Sequence, residues 1–495
     1  MTRLRLEPAM HNPIAPDWPG ASWVGTIDEF TLARAVASPA SPAGSAASRA
    51  AAGAAGQADA VAECVDATGY ARARLLVRRG ADIRGFVDVA LTDGCLDLAD
   101  LHARVALLPP PEARIGPVPA PETLPAFTVV VCTRDRTALL RSALLSVLAI
   151  DYPHFEVLVV DNAPATHETR DLLASEFAGR VRRIEEPVPG LSQARNTGLR
   201  NALGELVAFT DDDVTVDPYW LHALATGFAR GEDVECVAGL VPSGELRTAV
   251  QAFFDGRVSW SRNLRPRHFR LADPPEGLPM FPFSVGEFGT GANFALRRSY
   301  ALGIGGFDTA FGVGTRTGGG EDLDMFTRVI LAGRGLVVEP SALVWHRHRD
   351  DLAALRHQAR GYGTGLGAWL TKIALNPRTA RIALRRSPTA LVHLVRKGGG
   401  ALPDSGGRMP AAGSATDAAL RREINRVGWY ELACVARGPW AYLRQRRTGA
   451  QLYNSCRSEP PGQTPPEFRG TPLGRAESAG VMPFRERDRG TEAAS

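Results

Sequence analysis

The stretch Gly204-Glu-Leu-Val-Ala-Phe-Thr-Asp-Asp-Asp-Val-Thr-Val-Asp-Pro-Tyr-Trp-Leu221 constrains this chain more than any other. Leu206 to Phe209 is a short apolar run, the pattern of a strand buried on both faces. It leads directly into Asp211, Asp212 and Asp213. Asp217-Pro218 then predicts an N-cap and a first-turn proline for a helix extending through Arg230. Three carboxylates thus stand at the C-terminal end of a buried strand, the edge where open α/β sheets bind ligands. Adjacent like charges there repel unless a cation offsets them. Hard divalent ions with oxygen ligands suit such a site, above all where substrate phosphates complete the shell. Taken alone, Asp-Asp-Asp reads first as a solvated acidic turn, and only its surroundings reverse that.

Those surroundings alternate strand and helix from Phe127 to Ala332. Thr128-Val-Val-Val-Cys-Thr133 and Phe155-Glu-Val-Leu-Val-Val160 predict buried strands, with a third near Val181 to Ile184. Ala138 to Ala149, a segment through Phe177, and a helix capped by Ser192 and stopped before Gly204 supply the crossovers. Short connections predict an α/β fold with a mostly parallel, doubly wound sheet. Arg134-Asp135, Asp161-Asn162 and Asp211 to Asp213 follow three of the strands, so the strand tips converge on one edge. Gly286 to Asn293 and Gly303 to Gly320 are dense in glycine, which permits close backbone approach to a ligand or mobility of a lid. Glu321 to Ala332 predicts a helix with acids in its first turn and Gly333 beyond its end. Leu336 to Val338 and Ala342 to Trp345 read as two short strands, the second ending at His346. Pro242 to Phe283 either shapes a cleft or covers the sheet.

Outside this region the chain divides by composition. Residues 1–35 form an N-terminal segment, 36–60 an Ala/Ser/Gly-rich linker, and 61–108 a small β-containing unit with a hairpin around Gly80. Residues 109–125 are a proline-punctuated linker. Residues 351–397 interleave apolar positions with Arg356, Arg360, Lys372, Arg378, Arg381, Arg385, Arg386 and Arg396, opposed only by Asp351. Such a segment either contacts an anionic membrane surface or is a helix pair packed on the core with a solvated basic face. Within it, Gly361-Tyr-Gly-Thr-Gly-Leu-Gly367 reads as a flexible or close-packed turn. Residues 398–417 are a linker, 418–447 a basic helix with Trp429 and Trp440, and 448–495 a disordered tail. A hydrophobic fraction of 44% with 22% charged residues is that of a globular protein, and a net charge of +4 over 495 residues does not indicate nucleic acid. The cysteines lie far apart with no metal or disulfide spacing, which fits a reducing cytosol. No signal peptide and no membrane-spanning run is apparent, so the expected location is cytoplasmic, or peripheral at the cytoplasmic face of the membrane.

No Gly-x-Gly-x-x-Gly follows the first strand, and neither lysine lies in a phosphate-binding P-loop. What remains is a series: Val129-Val-Val-Cys-Thr-Arg-Asp-Arg136, Val159-Val-Asp-Asn162, Gly190-Leu-Ser-Gln-Ala-Arg-Asn-Thr-Gly198, Phe209-Thr-Asp-Asp-Asp213, Gly289-Thr-Gly-Ala-Asn293, Gly319-Gly-Glu-Asp-Leu-Asp324 and Trp345-His346. In that order it resembles the family 2 glycosyltransferases of bacterial non-processive type, with the GT-A fold, over about residues 127–346 and a domain of 126–350. The resemblance implies that Thr133, Arg134, Asp135 and Asp161 hold the base and ribose of a nucleotide-sugar donor, with Arg195, Asn196, Asp211 and Asp212 adding contacts. It implies a Mn²⁺ or Mg²⁺ site at Asp211, Asp213 and His346, and a phosphate and acceptor region at Thr290, Gly291, Ala292, Asn293 and Glu321. Asp322 is the implied general base, with Glu321 and Asp324 beside it, and the implied reaction inverts the anomeric carbon. The implied acceptor is a hydroxyl of a glycan, lipid-linked or small molecule, in glycan, glycolipid or cell-surface polysaccharide synthesis. Processive synthases of the family carry Gln-x-x-Arg-Trp and membrane spans, and both are missing, which favours a single transfer. The rivals are a nucleotidyltransferase acting on sugar phosphates and a catalytically inactive sugar-nucleotide-binding protein.

Overall fold

The computed structural model describes residues 4–37, 61–110, 119–258, 264–396 and 415–455. The chain opens with β1 (Leu4–Leu6), β2 (Trp23–Asp28), α1 (Glu29–Ala37), β3 (Val61–Cys64), β4 (Arg72–Arg79), β5 (Asp82–Ala90), β6 (Cys95–Asp97) and α2 (Leu98–Ala106). The hairpin around Gly80 is present as β4 and β5. β1 pairs with β3 and β2 pairs with β4, so residues 1–35 and 61–108 do not form separate segments. They share one core around Trp23, Leu32, Leu75, Val77 and Leu101. Strands this short bury an apolar side only by joining partners from elsewhere in the chain. Most of the 36–60 linker lies outside the described residues.

The central sheet contains β7 (Phe127–Thr133), β8 (Phe155–Asn162), β9 (Arg182–Glu186), β10 (Leu206–Thr210), β11 (Val214–Val216), β12 (Val234–Leu240), β13 (Arg267–Phe269), β14 (Asn293–Arg297) and β15 (Gly335–His346). Its order is β11-β15-β12-β14-β10-β7-β8-β9, with β13 added against β15. The half from β10 to β9 is parallel, but β14 runs antiparallel to both β10 and β12, as do β11 and β13 to β15. The sheet is therefore mixed rather than mostly parallel. The chain between β12 and β14 passes through a helix that packs on the C-terminal helices and through β13, rather than through a crossover helix laid on the sheet. Leu336 to Val338 and Ala342 to Trp345 are parts of one strand, β15, which spans Pro340 at its junction with three neighbours.

Alternate residues of β7 set the two layers. Val129 and Val131 face α3 (Thr137–Val147), α4 (Glu168–Glu176) and α6 (Trp220–Phe228). Val130 faces the side of α5 (Leu191–Asn201), α8 (Arg298–Gly303) and α9 (Glu321–Leu331). Several expected helix ends shift. Asp217 does not cap α6, which starts at Trp220, because its carboxylate takes the Tyr219 N–H and an arginine from β4. Gly190, at φ +138°, precedes α5, while the Ser192 hydroxyl is buried and donates to the Phe311 carbonyl. The 242–283 region covers the sheet: β13 extends it, and Phe269 and Phe281 enter its core, while α7 (Ala249–Arg257) packs under the C-terminal helices.

Those helices are α10 (Leu352–Leu375), α11 (Pro377–Arg396), α12 (Ala415–Val435) and α13 (Gly438–Ser455). Asn376-Pro377 breaks the 351–397 segment into two. The glycine run 361–367 is not a turn but the middle of α10. The single basic helix expected over 418–447 is two helices, and α13 continues to Ser455 into the expected tail. The remaining tail, 456–495, and nearly all of the 398–417 linker lie outside the described residues. No helix among the described residues is long and apolar enough to cross a membrane.

Candidate functional site

The strand tips meet where the register brings them. β7 and β8 align Thr133 with Asp161, and β10 ends beside them at Thr210. β11 then doubles back along β15 with Val214 opposite His346, so His346 lands beside Asp213. One ligand atom each from Asp211, Asp213 and His346 can lie within 4.8 Å of the others. Two carboxylates and an imidazole in this arrangement fit Mn²⁺ or Mg²⁺, Mn²⁺ accepting the nitrogen more readily. His346 Nε2 faces Asp213 Oδ1 at 3.2 Å, while its Nδ1 meets the His348 Nδ1 at 3.1 Å. His348 is buried against the Phe254 ring and orients the His346 imidazole from behind, as outer partners of metal-binding histidines do.

Arg136 joins two of the acids, donating to Asp212 through one nitrogen and to Asp213 through the other at 2.7 Å. Arg349 stands 3.7 Å from Asp213. Burial pushes the Asp212 carboxyl up to about 7, with Arg136 opposing and the Asp213 charge adding to it. Burial would raise Asp213 too, but His346 and Arg136 outweigh it and hold that carboxyl far below the ordinary range. Asp211 is raised by burial against the pull of Arg195, with Asp213 adding. Burial would lower His346, and the Asp213 carboxylate outweighs that, so the imidazole is raised. The site thus carries a strong preference for positive charge.

Other expected residues take supporting positions. The Thr133 hydroxyl donates to Asp212 at 2.7 Å, so both are engaged with the protein rather than turned to a nucleotide. Asp135, at φ +51°, accepts the Ala165 N–H and ties the loop after β7 to the loop after β8. Arg134 is exposed beside it. Asp161 is fully buried: one oxygen binds Arg183 at 2.7 Å, and the other has no hydrogen-bond partner among the described residues. Asn196 does not face a ligand, because its amide both donates to and accepts from the Phe307 backbone. Asn293 is likewise internal, accepting from Trp220 and donating to the Leu240 and Ala342 carbonyls.

Arg195 is the hub that links the two halves of the site. It is buried between the Phe294 and Phe307 rings. Its guanidinium donates to Glu321 at 3.1 Å and to the Gly291 carbonyl at 2.8 Å, and stands 3.6 Å from Asp211. Gly291 in turn donates its N–H to Asp322 Oδ2 at 2.9 Å, and a Cβ at Gly291 would meet Arg195 at 3.0 Å. The Ala292 carbonyl accepts from Thr210, and Thr290 closes the same turn through its carbonyl. Glu321 keeps one oxygen without a partner among the described residues, and burial, then the Asp322 charge, push it up to about 7 against Arg195. Asp324 points away, paired with Arg328 and Lys372. Nothing in the sequence singles out Arg136, Arg349 or His348, and no spacing separates the reach of Arg136 from that of Arg134.

Residues 128–301 match the family model described as glycosyl transferase family 2. The succinoglycan biosynthesis protein ExoM of Rhizobium meliloti is 30% identical over 249 residues, covering 49% of this chain and 69% of that protein. The pre-mycofactocin glycosyltransferase of Mycobacterium tuberculosis is 29% identical over 276 residues, covering 55% of this chain and 50% of that protein. The chain thus spans about half the length of that relative. A solved structure, the mannosyltransferase PcManGT from Pyrobaculum calidifontis in complex with GDP-Man and Mn²⁺, aligns over 65% of this chain and 89% of that chain, at 23% identity and a TM-score of 0.42.

Proposed function

The chain belongs to glycosyl transferase family 2 and has a mixed α/β sheet, and on that premise we propose that it has the GT-A fold and moves one sugar from a nucleotide-activated donor to an acceptor hydroxyl with inversion. The observation that carries the reading is the link made by Arg195 between the carboxylate cluster and the turn that holds Asp322. Asp211, Asp213 and His346 would hold the divalent ion. When bound, that ion would offset the charge gathering on the departing nucleoside diphosphate. Asp161, with an unpartnered buried oxygen, and the exposed Arg134 frame the base and ribose end. Arg136 and Arg349 supply further positive charge beside Asp213, where the diphosphate would lie.

Asp322 takes the proton of the acceptor hydroxyl. The oxygen it frees attacks the anomeric carbon as the bond to the nucleoside diphosphate breaks. Backbone N–H groups of Gly291 and Leu323 hold the carboxylate, one on each oxygen, and leave each oxygen a further lone pair. The names of the relatives, succinoglycan synthesis among them, support an acceptor in polysaccharide or cell-envelope synthesis.

Thermal melting with nucleoside diphosphates, with and without Mn²⁺, tests the site, because a ligand bound only by the folded state raises its stability. At least one nucleoside diphosphate should raise the melting temperature in a Mn²⁺-dependent way. Asp213→Ala should lose that dependence. Equal binding by the variant and the parent, with or without the ion, would place the donor elsewhere.

A further inference from the structure

We propose that the outer face formed by the end of α10, the start of α11 and the start of α13 docks on an anionic lipid surface. The inner sides of these helices are accounted for. Trp369 and Ile373 of α10, Ile382 and Ala383 of α11, and Tyr442 of α13 pack together with Phe283 and Phe311 of the central region. Their outer sides are unusual. Leu375 is 61% exposed, Leu384 72%, Trp440 60% and Leu443 47%. Large apolar side chains left this open on neighbouring elements point to something that covers them.

The charge on the same face says what that is. Arg378, Arg381 and Arg385 alternate with Leu384 on the outer side of α11, and Arg444 and Arg447 flank Leu443 on α13. None of these five arginines has a carboxylate partner among the described residues. α10, α11 and α13 contain no Asp or Glu at all. The three helices meet around an open depression of about 880 Å³ lined by Lys372, Leu375, Arg378, Leu443, Arg446 and Arg447. Arg444 stacks over the Trp440 ring at 4.9 Å, which holds the indole outward beside a positive charge.

Leucines and an indole among unpaired arginines match the boundary of a bilayer. The indole and leucines enter the headgroup and upper acyl region, and the arginines meet lipid phosphates. A nucleic acid would satisfy the arginines but give Leu375 and Leu384 nothing to bury against. The 351–397 segment divides accordingly. Most of α10 is a packing helix, with Leu355, Ala359, Ala368 and Trp369 buried, and the open surface belongs to its last turn with α11 and α13.

The test uses the full chain and vesicles of phosphatidylcholine, alone or mixed with phosphatidylglycerol. The protein should sediment with the mixed vesicles at low salt and be released as salt rises. Neutralising Arg378, Arg381 and Arg385 to Gln should weaken that binding about fivefold each, or roughly 10²-fold together. Brominated acyl chains should quench a tryptophan signal that disappears in Trp440→Phe. All these side chains are exposed, so both variants should melt as the parent does. Equal recovery on neutral and mixed vesicles, unchanged binding by the triple variant, or quenching that persists in Trp440→Phe would overturn the proposal. Displacement by DNA without any quenching would overturn it in favour of a polyanion-binding face.

Discussion

Asp322 enters α9 with Oδ2 on the Gly291 N–H and Oδ1 on the N–H of its own neighbour Leu323. Asparagine would keep the Gly291 contact through its amide oxygen but could not take a proton from an acceptor. Asp322→Asn should therefore lower the transfer rate by about 10²–10⁴-fold, while donor binding followed by melting stays near that of the parent. If Asp322 only capped its helix, the asparagine would serve almost as well and turnover would be near normal. In that event the base is Glu321, because Asp324 is held by Arg328 and Lys372. At this scale the sequence is legible where the surrounding pattern narrows the uses of a residue, as with Asp211 and Asp213, which the end of a buried strand places beside His346. It is not legible where reach decides. Thr133 and Asn196 sit in the right segments, yet one hydroxyl serves Asp212 and the other amide serves Phe307. No spacing distinguishes a side chain turned to a ligand from one turned to its neighbour.

The glycines of α10 show the same limit for an element. Glycine in a helix interior costs about 1 kcal/mol relative to alanine, so three of them between Tyr362 and Ala368 read as a turn. Packing overrides that cost. A Cβ on Gly363 would lie 2.1 Å from the Glu431 carbonyl oxygen, and one on Gly367 2.0 Å from that of Val435, so this side of α10 needs glycine to meet α12. A Cβ on Gly365 would lie 2.7 Å from the Gly319 carbonyl carbon, in the loop that leads into Glu321 and Asp322. Gly365→Ala should push that loop and move the start of α9. A displacement of about 1 Å near reacting groups can cost about 10²-fold, and turnover should fall toward that level with a small change in melting temperature. Gly367→Ala should do the opposite, lowering the melting temperature while sparing turnover in the folded protein. Parent-like turnover in Gly365→Ala would show that the loop absorbs the methyl group without moving Asp322.

For the whole molecule, the alternation of strand and helix makes the parallel half of the central sheet, β10 to β9, legible, but the antiparallel strands and the place of the N-terminal unit are set by long-range contacts that no local pattern encodes. Val24, Leu76 and Met10 pack with Leu240, Leu246, Leu343 and Trp345, directly behind the end of β15 that carries His346. Arg74 binds Asp255 at 2.7 Å, and Asp255 accepts from Ser243, which bridges to His346. Arg78 reaches from β4 to Asp217, just past β11, with both side chains at most 10% exposed. A charge buried with its partner removed is costly, so Arg78→Ala should destabilise the protein by about 3–5 kcal/mol in denaturant unfolding. Much of that is the penalty of leaving Asp217 buried and uncompensated. Arg78→Met combined with Asp217→Asn removes both charges, keeps an acceptor for the Tyr219 N–H, and should recover a large part of the loss. The pattern of unfolding decides whether the unit is integral. If the N-terminal strands support the β11–β15 pair, the single variant should unfold in one transition shifted to lower denaturant. A separate early transition, with the main one left where the parent has it, would show that the unit is only attached to the sheet and does not hold His346 in place.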